Sequence, residues 1–179
     1  MGKKVLIVAT SPRRNGNSNH LADEFAKGAV QAGHQVETVY LCEKNIGFCR
    51  GCLSCQKTMR CVIRDDADTI VQKMRAADVL VFATPVYYYG MSGQMKTMLD
   101  RANPLFPSDY IFRDIYLLTA AAEDDPETPE GTVQGLQGWI SCFEKARLAG
   151  SVFAGGVTDA GEIEGHPALQ TAFEMGSRI

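Results

Sequence analysis

The stretch CRGCLSCQKTMRC, Cys49 to Cys61, places four of the chain's six cysteines within thirteen residues. The spacing C-x2-C-x2-C-x5-C offers four chemistries. Thiolates at Cys49, Cys52, Cys55 and Cys61 could ligate one [4Fe-4S] cluster, because the five-residue gap leaves enough chain for the fourth thiolate to return to the same cube. Zinc also takes four thiolates, although its knuckles usually come as two C-x-x-C pairs separated by a longer loop. The same residues could remain free thiols or pair as disulfides. Spacing alone leaves these open.

Two further stretches carry chemistry. In TSPRRNGNSNH, directly after an apolar run, Ser11, Asn17 and Ser18 are short donors and Arg13 brings charge, while Pro12 and Gly16 open a turn. A strand running into a helix N-terminus there would collect unpaired N–H groups and a positive dipole end, a suitable seat for phosphate. The stretch contains neither G-x-G-x-x-G nor G-x-x-x-x-G-K-[ST], so an ordinary capped turn is the competing reading. In TPVYYYGMSGQMKTMLDR, Tyr87, Tyr88, Tyr89 and Gly90 precede a helix that starts near Ser92. Aromatic rings and free amides in such a place form a slot for a flat heteroaromatic ring. Packing at a sheet edge or subunit interface is the alternative, but three adjacent tyrosines cannot all face one core.

The elements that position these stretches alternate strictly. KKVLIVAT, HQVETVYL, DVLVFAT, DIYLLTAAA and SVFAGGV read as five strands. Helical stripes separate them: Leu21, Phe25, Ala29 and Ala32; then Ala67, Ile70, Val71 and Met74 after a cap at Asp65 or Asp66; then Met91, Met95, Met98, Leu99 and Ala102; then Val133, Leu136, Ile140 and Phe143. HPALQTAFEMG closes with Pro167 in its first turn. This is an α/β chain with a doubly wound five-stranded parallel sheet, which binds ligands beyond the carboxyl ends of its strands. The exception is the cysteine-rich insertion at about 42–64, too long to be a simple connection. The polar stretch EDDPETPEGT, from Glu123, reads as an exposed loop or lid.

With 179 residues, 45% of them hydrophobic, the chain builds one domain, 1–179. A net charge of −3 and the absence of any long basic run argue against nucleic acid. The N-terminal apolar stretch is too short for a signal sequence, and no stretch approaches a membrane span. The expectation is a cytoplasmic protein with no membrane partner, in which thiols stay reduced and a disulfide framework is disfavoured. Cys42 and Cys142 read as small buried residues, His20 as a surface residue, His166 as a helix cap, and Asp100 with Arg101 as a surface pair at a helix end. No paired carboxylates or nucleophile–base pair mark a hydrolase.

Taken together, TSPRRNGNS, TPVYYYGMSGQMKTMLDR and GGVTDAGEIEGHPALQTAFEMG resemble the flavodoxin-like NAD(P)H-dependent FMN reductase family over nearly the whole chain. The resemblance implies a sheet of order 2-1-3-4-5 with bound FMN. Ser11, Arg13, Asn17 and Ser18 would hold its phosphate; Pro85, Val86, Tyr87, Tyr88, Tyr89 and Gly90 would border its ring, and Thr119, Ala120, Ala121 and Ala122 its other side. Chemistry at flavin N5 then needs no catalytic side chain, with NAD(P)H as donor and a quinone, another flavin or a similar small molecule as acceptor. The compact cysteine motif resembles that of the iron-sulfur flavoprotein branch, which implies Cys49, Cys52, Cys55 and Cys61 as ligands of a [4Fe-4S] cluster exchanging electrons with ferredoxin. A non-catalytic flavodoxin-like carrier is a further alternative. Family members commonly form homodimers or homotetramers.

Overall fold

In the computed structural model, which describes residues 2–179, strand β1 (Lys4–Ala9) lies between β2 (Gln35–Tyr40) and β3 (Val79–Tyr87). Beyond β3 come β5 (Asp114–Ala120) and β6 (Arg147–Ala154), all parallel, giving the path β2-β1-β3-β5-β6. This is the order that the family resemblance implies. β4 (Gly90–Met91) is an addition that periodicity did not disclose: it folds back antiparallel on β3, with Val86 opposite Met91 and Tyr87 opposite Gly90. Met91 therefore belongs to this hairpin and not to the following helix.

The apolar runs earn their place by alternation across the sheet. Leu6, Val8, Leu80, Phe82, Ile115 and Leu117 face a core shared with α3 (Asp66–Ala76), α4 (Gly93–Arg101) and α5 (Glu130–Ile140). Val5, Ile7, Val79, Val81, Leu118 and Val152 face the opposite core, closed by α1 (Asn17–Gln31) and α6 (Pro167–Ser177). Burying a leucine- or phenylalanine-sized side chain contributes about 1.5–3 kcal/mol, so two full layers hold the sheet without help from the loops. Helices α1 and α6 meet at backbone level: a β-carbon on Gly28 would collide with the carbonyl of Phe173, and one on Gly176 with that of Phe25.

Caps fall where side-chain chemistry places them. Asp65 accepts from the Ala67 N–H at 3.1 Å, Ser92 from Met95 at 3.2 Å, and His166 from Ala168 at 3.1 Å. Between β2 and α3 lie a 3-10 turn (Leu41–Glu43) and one α-helical turn, α2 (Cys55–Thr58). Three expectations are corrected here. Cys42 and Cys142 are exposed, because a short 3-10 turn and the turn after α5 carry them outward. His20 is half-buried. Asp100 and Arg101 do not pair: Asp100 meets Lys96 in solvent at 2.7 Å, one helical turn back, while Arg101 turns inward and is wholly buried.

Candidate functional site

At the carboxyl edge of the sheet, the ends of β1, β3 and β5 and the start of α1 converge on one pocket of about 130 Å³. Ser11 and Arg13 enter it from the turn after β1, and Asn17 and Ser18 from the first turn of α1. Pro85, Val86 and Tyr87 come from the end of β3, and Ala120, Ala121 and Ala122 from the end of β5. Val157 and Thr158, which sequence reasoning passed over, complete it from the loop after β6. Their signal lay in GGVTDAGE, a glycine-led turn after an apolar run. Thr119 is not brought in; its hydroxyl donates to the Val152 carbonyl at 3.1 Å inside the sheet. Tyr88, Tyr89 and Gly90 lie on the hairpin and do not line this pocket.

The pocket gathers groups that suit an anion. The N-cap of α1 is Gly16, which supplies no capping side chain, so the first amides of the helix keep the free N–H groups that every helix start presents. A β-carbon at Gly16 would collide with the Ser11 hydroxyl, so only glycine lets the turn close. Asn17 spans the site's rim, donating to the Asp159 carbonyl at 3.0 Å and accepting from the Ile163 N–H at 3.3 Å. Arg13 donates to the Thr158 carbonyl at 2.9 Å while remaining exposed. The Ser18 hydroxyl is buried with no hydrogen-bond partner. Such an orphan normally marks a missing acceptor or donor. Free amides at a helix N-terminus, a guanidinium and a waiting hydroxyl together fit a phosphate group.

The tyrosine hairpin is fixed to this pocket through a dry polar network. Thr10, Thr84 and Ser92 are all fully buried. The Ser92 N–H donates to Thr84 Oγ1 at 3.1 Å, its hydroxyl donates to the Thr10 carbonyl at 3.3 Å, and the two hydroxyls stand 3.0 Å apart. Tyr88 and Tyr89 then occupy the hairpin tip with φ of +49° and +60°. For a bulky residue this is a strained conformation, worth roughly 1–2 kcal/mol each, and such strain collects at functional positions. Tyr88 is fully exposed, as at least one of the three was expected to be. The first turn of α5 supports the tip from below, since any side chain on Gly131 would strike the Tyr89 carbonyl.

A second cavity, of about 470 Å³, collects Cys49, Cys52, Cys55 and Cys61 along the insertion. Leu99, Trp139 and Phe143 form its apolar wall, and the exposed Cys142 reaches it from the turn after α5. Asn103 Nδ2 donates to Cys55 Sγ at 3.0 Å, and the Gly51 N–H to Cys49 Sγ at 3.4 Å. Bonds from Ser54 hold the exposed Cys52 thiol below its ordinary pKa. Thiolates beside an apolar wall suit an iron–sulfur cluster in kind. The sulfurs share the cavity without being drawn together: among the described residues no three His, Cys, Asp or Glu are gathered closely enough to hold a metal ion.

The sequence model of the family described as NADPH-dependent FMN reductase matches residues 3–124. The iron-sulfur flavoprotein MJ1083 of Methanocaldococcus jannaschii is 37% identical over 102 residues, covering 57% of this chain and 53% of its own length. The chain thus spans about half the length of that relative. YwqN of Bacillus subtilis, provisionally named an NAD(P)H-dependent FMN-containing oxidoreductase, is 30% identical over 186 residues and covers 96% of both chains. Among solved structures, an NAD(P)H:quinone oxidoreductase from Methanothermobacter marburgensis superposes with a TM-score of 0.73 over 99% of this chain and 97% of its own, at 14% identity, a likeness of fold.

Proposed function

The chain belongs to the NADPH-dependent FMN reductase family, and on that premise we propose that it is an FMN-dependent oxidoreductase taking electrons from NAD(P)H and passing them to a small acceptor such as a quinone or a flavin. The observation that carries this reading is the buried, unpartnered Ser18 hydroxyl beside the uncapped start of α1. Ser11, Arg13, Asn17 and Ser18 would hold the FMN phosphate. Pro85, Val86 and Tyr87 would border the ring on one side and Ala120 and Ala121 on the other, with Tyr88, Tyr89 and Gly90 forming the hairpin that closes over it and Thr119 supporting the sheet edge beneath. FMN, when bound, supplies hydride acceptance and electron release. The chain's part is to hold and orient it: backbone amides of the strained hairpin would bond the ring's polar edge, and the Thr10–Thr84–Ser92 network keeps the hairpin fixed. No side chain is required as acid or base.

A second reading is favoured by one observation, the shared cavity of Cys49, Cys52, Cys55 and Cys61. In it the loop closes these thiolates on a [4Fe-4S] cluster and electrons are exchanged with ferredoxin. Both readings take the chain to be a single cytoplasmic domain, 1–179, acting as a homodimer or homotetramer. No helix among the described residues is long and apolar enough to cross a membrane.

The test is made without oxygen. Purified protein is titrated with FMN, its iron and sulfide are assayed, and NADH or NADPH is added while the flavin absorbance is followed. Rapid bleaching by either nucleotide supports the reductase. A slow response to both, with iron present and rapid reduction by ferredoxin, supports the cluster reading. Protein that stays colourless after FMN addition sinks both.

A further inference from the structure

Arg101 ends α4, where an arginine ordinarily lies along the surface with its head in water. Here the side chain is 0% exposed. Its guanidinium makes four bonds: Nη1 donates to the Gly47 carbonyl and to Asp65 Oδ2, both at 2.7 Å, and Nη2 donates to Asp65 Oδ1 at 2.8 Å and to the Ile63 carbonyl at 3.3 Å. Gly47 and Ile63 stand at the two ends of the cysteine segment, so one planar group closes the loop's base. Asp65 completes the knot by accepting from the Gly47 N–H at 2.9 Å while capping α3.

One donor remains. Arg101 Nε is buried without a hydrogen-bond partner, and a buried guanidinium N–H left unbonded is costly. The opposite end of α4 starts at Ser92, in the network that fixes the tyrosine hairpin. Nine residues of helix therefore join the two candidate sites.

We propose that Arg101 is the positioning residue of the cysteine loop, holding residues 47–63 closed over their cavity. The iron readout below rests on the loop acting as the second redox site. Lysine cannot substitute: it carries the charge but has neither the planar fork nor the fifth N–H.

The experiment compares full-length wild type with Arg101→Gln and Arg101→Lys, each loaded with FMN. Three readouts are taken: tryptic cleavage after the exposed Arg50, Lys57, Arg60 and Arg64, alkylation of the buried Cys55, and iron per flavin with the visible spectrum after anaerobic isolation. In both variants loop cleavage and Cys55 alkylation should rise roughly tenfold or more, because local opening sets both rates. FMN affinity should stay within about twofold, since the phosphate pocket touches none of these groups. Iron per flavin should fall in both variants, because an opened loop no longer holds its cysteines over the cavity. Should Arg101→Gln fail to fold, Arg101→Lys carries the same readouts. Unchanged cleavage and alkylation overturn the clamp, as does loss of FMN in step with loop opening. Wild type that holds no iron removes the cluster reading alone, and the cleavage and alkylation results still decide the clamp.

Discussion

The flavin-side pocket and the cysteine loop sit at opposite ends of α4 and are held in opposite ways. The pocket is assembled from strand ends whose register is set by two buried layers, and a network of three hydroxyls locks the hairpin beside it. Many weak, redundant contacts fix its geometry. The loop has little regular structure; one guanidinium and one carboxylate close its buried base, and ties from Asp68 to Arg60 and the Cys61 N–H and from Asn103 to Cys55 hold its exposed part. Redundant support tolerates the loss of any one contact, whereas a buried ion pair at a loop's base does not.

The largest effect that could break this contrast is at the ion pair. Removing one partner of a buried pair leaves an uncompensated charge, so Asp65→Asn should cost about 3–5 kcal/mol in urea unfolding at neutral pH. Burial pushes the Asp65 carboxyl up, but the Arg101 guanidinium and the N–H groups of Gly47 and Ala67 outweigh it and hold the pKa below the ordinary carboxylate value. A lowered folded pKa gives stability that is complete above the unfolded value, about 4, and lost as pH falls through the lower folded one. The difference between wild type and Asp65→Asn should therefore shrink on acidification below that value. A difference that stays constant from neutral to acid pH would show that Asp65 is not the charged partner.

Next in size is the turn before α1. Gly16→Ala places a β-carbon against the Ser11 hydroxyl, and FMN affinity should fall roughly 100-fold, about 3 kcal/mol, with Tm changed little. Ser18→Ala removes only the orphan hydroxyl; a loss of about tenfold in FMN affinity, near 1.4 kcal/mol, is expected by fluorescence titration. Redundancy predicts this smaller loss, and a loss as large as that of Gly16→Ala would make Ser18 the principal anchor. The smallest effect is at the hairpin tip. Tyr88→Gly relieves a left-handed backbone at φ +49° and should raise stability by up to about 1 kcal/mol while slowing flavin reduction by NAD(P)H. Lower stability in that variant would mean that the tyrosine ring, not its backbone, is the tip's contribution.

The sheet was legible because its signals are local. Alternating apolar runs and three capping residues, Asp65, Ser92 and His166, lie within a few positions of what they control. Much of the lining of the pocket beside α1 was legible for the same reason, since Ser11 to Ser18 form one contiguous stretch. Val157 and Thr158 join that pocket from 140 residues away, through the sheet order and not through any neighbouring motif. Arg101 is the opposite case. Beside Asp100 it looks like half of a surface pair, and only the fold reveals a partner 36 positions upstream. Thr119 shows the converse: it borders the right strand end, but alternation turns its side chain into the sheet.

The glycine seam between α1 and α6 has a consequence for how this chain can change over time. Gly28 and Gly176 each press against the other helix's backbone, so neither position can drift without the other helix moving away. The last helix is thereby a foundation for the first, whose opening turn presents the anion pocket. Two segments at opposite ends of the chain must be inherited as a matched pair, and a recombinant that takes them from different lineages would lose flavin affinity with every pocket residue in place.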